Sequence, residues 1–270
     1  MNDNEHEHWE GIARTQTKTP YRDPILAEYK KRTYLALISR WVKLSSSQRI
    51  LKTDLFAEAF NPEQFLFELP AGAVLGIDIA AATVQQAKRE AGNRGRDAGN
   101  YLCADVRSLP LRDNSIDLVI SDSTLDHFAA EKDISAAIKE LGRVLVPGGT
   151  LVLTIDNKHN LTYPPYWMIR AWMKLRLAPY FIGRTLSLAK LTEVLDKAGV
   201  EVNASTAILH YPHPDSLVRW TERCIHALGR GRGDDALRRG FARLETLQGK
   251  STRYLTGRYL ALKATKRVPG

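Results

Sequence analysis

Cysteine is nearly absent. Cys103 and Cys224 are the only two in 270 residues, far apart and without CxxC spacing. That argues against a disulfide-stapled scaffold and a thiolate metal site, and reads as reduced thiols in a cytosolic protein. No apolar run approaches the roughly 18 residues of a membrane-spanning helix. The N-terminal stretch is polar and carries Asp3, Glu5 and Glu7, which reads as neither a secretory signal nor a transit peptide. Internal repeats and long low-complexity segments are missing, and no RNA- or DNA-binding signature accompanies the basic residues. His210 and His213 flank Tyr211-Pro212, a spacing that makes no convincing metal site.

What is present is a hydrophobic fraction of 44% and a net charge of +9. The first suffices for one α/β domain with a modest addition. The positive excess is strongest near the C-terminus, with Arg219, Arg223, Arg238, Arg239 and Arg243 among its members. Nucleic acid, an anionic membrane surface and a small acidic substrate are the partners such charge suits, beside a plain solvated surface.

Strand and helix signals alternate. Residues up to about Tyr21 show no periodicity. Ile25 to Val42 is amphipathic behind Asp23 as cap and Pro24 in the first turn. Strands are expected at Arg49–Thr53, Ala73–Ile79, Tyr101–Ala104, Ser115–Ser121, Thr150–Ile155, Val200–Leu209 and Tyr254–Ala264. Helices are expected between them, one starting at Asn61-Pro62-Glu63. This order predicts a Rossmann-like, doubly wound, seven-stranded α/β sheet. It is mostly parallel with an antiparallel last strand, an N-terminal helix and a helical insertion after strand five. The organisation reads as an N-terminal tail and cap (1–47), a nucleoside-binding core (48–157), an aromatic and basic insertion (158–185), and a C-terminal completion of the same domain (186–270).

Asp78 closes the apolar run Ala73-Val74-Leu75-Gly76-Ile77, and a helical pattern opens just after it. An acid at the carboxyl end of the second strand of such a sheet accepts hydrogen bonds from both hydroxyls of a ribose, which implies a nucleoside-bearing cofactor. A second carboxylate, Asp105, follows the third strand. Two carboxylates at neighbouring strand ends suit a neutral adenosine and oppose a phosphorylated nucleotide.

The segments Val74-Leu75-Gly76-Ile77-Asp78-Ile79, Ala104-Asp105-Val106, Asp113 to Ser121 and Leu141 to Leu151 with its Pro147-Gly148-Gly149 turn together resemble the class I S-adenosylmethionine-dependent methyltransferases. The resemblance spans about Arg49 to Asp156. It implies S-adenosyl-L-methionine as cofactor, Asp78 and Ile79 at the ribose, Asp105 and Val106 at the adenine edge, and Ser121 beside the methionine portion. The family's first motif is different here. After the first strand it has an acid and then a glycine-rich turn, whereas this chain reads Leu51-Lys52-Thr53-Asp54-Leu55-Phe56 with no glycine. In one reading Asp54 takes over the ammonium contact, with Thr53 and Leu55 shaping the turn. In the other, Phe56 fills the methionine pocket, and the protein is a non-catalytic binding or regulatory relative.

Methyl transfer from a sulfonium needs alignment and exclusion of water, with a general base where the acceptor carries a proton. Asp122 and His127 are the base candidates, and Asn157, Tyr163, Tyr166 and Trp167 the candidate substrate wall. The expected acceptor is a small or lipid-like molecule, methylated on oxygen or carbon. The expected location is cytoplasmic, with peripheral contact to an anionic membrane as an option. The sequence names no oligomeric state.

Overall fold

The computed structural model describes residues 3–16, 23–69, 73–96, 100–175, 181–212, 215–228 and 232–268. Strands β1 (Arg49–Thr53), β2 (Ala73–Asp78), β3 (Tyr101–Cys103), β4 (Ile116–Asp122), β5 (Leu145–Asp156), β6 (Val200–Ile208) and β7 (Tyr259–Lys266) form one sheet in the order β3-β2-β1-β4-β5-β7-β6. The first five run parallel, and β7 lies antiparallel between β5 and β6. The chain winds outward in both directions from β1 and β4. That switch leaves a crevice at their carboxyl ends, where ligands of open α/β sheets bind.

Side-chain alternation along the central strands feeds two cores. Ile50, Leu118, Ile120 and Val152 face one layer, with α2 (Pro24–Trp41), α4 (Ala81–Asn93) and α9 (Arg232–Glu245). Leu51, Val119, Leu151 and Leu153 face the other, with α5 (Glu131–Val144) and α7 (Leu188–Lys197). Ile134, Ile138 and Leu141 of α5 are fully buried, each worth about 2 kcal/mol of transfer free energy. The remaining helices are α1 (Asp3–Thr15), α3 (Phe56–Phe60), α6 (Tyr166–Lys174), α8 (Asp215–Leu228) and α10 (Arg253–Thr256). No helix among the described residues is long and apolar enough to cross a membrane.

Four local expectations change. The N-terminal segment without visible periodicity is helical as α1. The helix expected from Asn61 instead ends at Phe60, and Asn61 is its C-cap. Only a single 3-10 turn, Leu66–Glu68, follows. Tyr254 belongs to the turn of α10, so β7 starts five residues later than expected. Asp23 does not cap α2 through its side chain. Its carboxylate pairs with Arg223 at 2.9 Å, while Glu222 of α8 accepts the N–H groups of Ile25 and Leu26 at 2.8 and 3.0 Å. A carboxylate at the positive end of a helix satisfies orphan donors and the dipole together.

Candidate active site

The crevice is built around the turn after β1. Asp54 has φ of 69°, the left-handed region that glycine enters freely and that Asp and Asn tolerate best among the others. Its Oδ1 accepts the N–H of Phe56 at 2.7 Å at the start of α3. Beneath it, the buried Lys52 ammonium donates to Asp54 O at 2.6 Å and to Glu58 Oε2 at 2.9 Å. Burial pulls the Lys52 pKa down, but the charges of Glu58, Asp54 and Asp122 outweigh it and hold the ammonium above its ordinary value. Leu55 is fully buried and packs over Gly76, where a Cβ would meet Leu55 Cδ2 at 2.7 Å. A non-glycine turn is thus held by a buried ion pair below, a helix cap ahead and a glycine on the neighbouring strand.

The Asp78 carboxylate accepts the N–H of Leu55 on Oδ2 at 3.0 Å and that of Ala80 on Oδ1 at 2.8 Å. Each oxygen keeps acceptor capacity. Burial and then the charge of Asp54 push Asp78 up to about 7, against the help of those two N–H groups. Asp105 is gripped by Arg107, whose Nε and Nη2 lie 3.0 and 2.7 Å from Oδ2. Arg107 also meets Glu5 of α1 at 2.8 Å and lies 4.8 Å over the Phe128 ring. Helix α1 crosses here. Glu10 accepts the N–H of Ala82 at the start of α4 at 3.1 Å, and the Trp9 ring meets His127 at a 4.8 Å centroid distance.

Asp122, at the end of β4, accepts hydrogen bonds from Thr154 Oγ1 at 2.9 Å and from the Tyr34 hydroxyl. Burial raises its carboxyl to about 6, while Lys52 and these two donors pull it down. These groups enclose a cavity of about 460 Å³, within the range of small-molecule and cofactor sites. Phe56 edges it and lies against Phe60 at 5.0 Å, leaving the space open. Three of the four non-glycine residues at positive φ among the described residues, Asp54, Ser123 and Leu209, line this one cavity. Strained backbone gathered at one place is a mark of a functional site.

The family model described as "Methyltransferase domain" matches residues 59–153. A probable S-adenosylmethionine-dependent methyltransferase of Mycolicibacterium smegmatis is 30% identical over 145 residues, covering 52% of this chain and 48% of that protein. Over residues 59–153 this chain is thus similar to methyltransferase domains. An uncharacterized 37.1 kDa transposon protein of Streptomyces fradiae is 38% identical over 107 residues, 39% of this chain and 30% of that one. The matches thus span less than half the length of both curated relatives. Among solved structures, the cyclase SpnF superposes with a TM-score of 0.58 at 23% identity, over 88% of this chain and 82% of that one; at that identity the likeness is one of fold.

Within this methyltransferase fold, Thr53, Asp54, Asp78, Ile79, Asp105, Val106, Asp122 and His127 all line the cavity. Ser121 is buried under it, accepting from the Thr53 hydroxyl at 3.0 Å. The expected substrate wall lies elsewhere. Asn157 is fully buried and donates to the carbonyls of Tyr254 and Gly257 at 2.7 and 2.8 Å, fastening α10 to the end of β5. Tyr163 is half-buried outside the cavity lining, and α6 turns Tyr166 and Trp167 outward to solvent. The wall opposite Asp78 comes instead from Lys30 and Tyr34 of α2, Leu209, Arg219 of α8 and Tyr259. His210 points away from any cavity chemistry, its Nδ1 2.9 Å from Thr256 Oγ1 and its Nε2 3.2 Å from Ala207 O. His213 lies outside the described residues. Sequence reasoning missed Trp9 and Ile12 of α1, whose i, i+3 spacing is the one signal that marks them.

Proposed function

We propose that this protein transfers a methyl group from S-adenosylmethionine to a small or lipid-like acceptor, on oxygen or carbon. The observation that carries the reading is the convergence of Asp78, the left-handed Asp54 turn and the Asp105-Val106 segment on one cavity at the sheet's switch point. Asp78 has lone pairs left for ribose hydroxyls, and Asp54, Asp105 and Asp122 add negative charge to the same space. That charge favours a ligand bearing an ammonium and a sulfonium and disfavours a phosphorylated one. When bound, the cofactor supplies a methyl group already activated by its sulfonium.

The residues' tasks follow. Asp78 and Ile79 would hold the ribose, Asp105 and Val106 the base, and Asp54 the ammonium, with Thr53 shaping the turn and Ser121 bracing it from below. Asp122 is the better-placed base: with a carboxyl near 6 it is ionised at neutral pH and can take a proton from a hydroxyl or an activated C–H. Tyr34 and Thr154 keep it aimed into the cavity. His127 is the second candidate. Trp9 and Ile12 cover the cavity from α1 and limit water access. Phe56 lines the cavity without filling it, which favours this reading over a non-catalytic relative with an altered cofactor pocket.

Isothermal titration of the folded chain with S-adenosylmethionine and with S-adenosylhomocysteine tests the reading. Both are expected to bind, and Asp78→Asn to weaken both. Absence of heat with either ligand rejects it. Formation of S-adenosylhomocysteine on adding fractionated cell extract would then locate the acceptor, and Asp122→Asn is expected to slow that reaction about a hundredfold at saturating cofactor, a larger effect than its loss of cofactor affinity.

A further inference from the structure

The connection between β5 and α7 carries a face that the cavity does not use. At 100° per residue, Tyr166, Arg170, Lys174 and Trp167 fall at about 0°, 40°, 80° and 100° around α6, within one arc. All four are exposed, Trp167 by 69%. Ile169, at about 300° and outside that arc, is the buried residue that seats the helix. Leu161 before the helix and Leu175 at its end are exposed by 78% and 67%. No Asp or Glu occurs in the sequence between Asp156 and Glu193. The segment itself is thus purely basic, carrying Lys158, Arg170, Lys174 and Arg184, the last within 4.0 Å of Glu131.

From this arrangement we infer that the outer arc of α6 docks the protein on an anionic lipid bilayer. Two amphipathic rings flanking two cations match a helix lying in the plane of a membrane interface. The rings settle at head-group depth and the cations meet anionic head groups. The same face is moored to the cavity wall. The Arg184 guanidinium lies 5.4 Å over the Tyr166 ring, and the backbone N–H of Arg184 donates to Phe128 O at 2.8 Å. Gly183 sits so close to the 126–128 turn that a Cβ there would lie 2.4 Å from Phe128 O. Phe128 and His127 line the cavity, so docking brings the membrane beside the site. The inference does not depend on methyl transfer.

Co-sedimentation of the full chain with vesicles of phosphatidylcholine, with and without phosphatidylglycerol, tests it. Binding is expected only with phosphatidylglycerol and is expected to fall with added salt. Arg170→Gln with Lys174→Gln is expected to lower the partition about 25-fold, roughly fivefold per cation. Trp167→Ala is expected to lower it at unchanged melting temperature. Arg239→Gln with Arg243→Gln, on the exposed side of α9, is the control and is expected to bind as the parent does. Equal binding to both vesicles, undiminished binding by the α6 variants, or loss with the α9 pair alone overturns the proposal. So does binding to single-stranded RNA without vesicle binding. Titrating each variant with S-adenosylmethionine separates docking from cofactor binding, because none of these side chains lines the cavity.

Discussion

The carboxylate of Asp78 accepts the backbone N–H of Leu55 at 3.0 Å, so the acid at the end of β2 and the turn after β1 are one structural unit. A glycine-rich loop gives a cofactor close backbone approach. Here Asp54 takes the left-handed conformation, Leu55 drops into the space above Gly76, and Asp78 fastens the turn from the neighbouring strand.

Substitutions at Asp54 separate conformation from charge. Asn tolerates positive φ and retains an acceptor for the Phe56 N–H, so Asp54→Asn is expected to fold at least as stably as the parent at pH 8, where Asp78 no longer faces a second anion. Asp54→Ala keeps neither advantage and is expected to lose about 1–2 kcal/mol from left-handed strain, plus the cap. Both are expected to bind S-adenosylmethionine about tenfold more weakly, a loss of about 1.4 kcal/mol. Urea denaturation and calorimetric titration read the two effects, and an Ala variant as stable as the Asn variant contradicts the assignment.

The raised carboxyls predict a pH dependence with a definite sign. Asp78 sits at about 7 and Asp122 at about 6 in the folded protein, above the roughly 3.9 of an unfolded Asp. Between those limits the folded chain binds more protons than the unfolded one. The stability from these groups is complete below about pH 4 and is lost as pH rises through about 6 to 7. Their contribution to the unliganded protein's melting temperature should therefore decline across that window. A cationic ligand needs the ionised carboxylates, so the stabilisation by S-adenosylmethionine should grow over the same range, and that by uncharged-sulfur S-adenosylhomocysteine should grow less. Scanning fluorimetry at stepped pH checks both slopes.

Much of this was legible in the sequence because it is carried by periodicity. Strand β1 falls where the apolar run Ile50-Leu51 and its flanks put it, and the acids at the ends of β2 and β4 and after β3 do line one cavity. What escaped depends on tertiary contacts. Helix α1 has only Trp9, Ile12 and Ala13 as an apolar patch, too short to read. It is held by Glu10 on Ala82 and Glu5 on Arg107, partners far along the chain. Pro62 reads as a helix start in sequence, but the short helix ends at Phe60 with Asn61 as its C-cap, and it begins behind the Asp54 turn, whose positive φ is invisible in residue type. The amide of Asn157 reads as a ligand in sequence, yet backbone carbonyls of α10 and its following turn consume it. The aromatic residues of α6 were expected to face the site, and the single buried Ile169 sets the phase the other way.

The ion pair under the turn predicts an asymmetric mutational response. Lys52 and Glu58 are almost entirely buried, with side-chain exposures of 2% and 0%. Removing one partner, as in Lys52→Met, strands the other charge and is expected to cost about 3–5 kcal/mol. Replacing both, with Lys52→Met and Glu58→Leu, is expected to recover most of that loss. Denaturation midpoints of the two singles and the double form the cycle, and additive losses would show the pair to be uncoupled.

Helix α1 reaches the cavity through Trp9 against His127, with Glu5 on Arg107 and Glu10 at the start of α4 as its fastenings. Trp9 and Glu5 both line the cavity, whereas Glu10 secures the helix from outside it. Trp9→Ala opens the cover without touching Asp78 or Asp105, so its expected effect is severalfold faster release of S-adenosylmethionine with little change in association rate. Glu10→Gln weakens the cap on Ala82, a charged acceptor becoming a neutral one, and is expected to loosen the same helix by about 1 kcal/mol. Stopped-flow displacement by excess S-adenosylhomocysteine gives the release rate. Unchanged release in both variants would mean that α1 packs over the cavity without governing exchange.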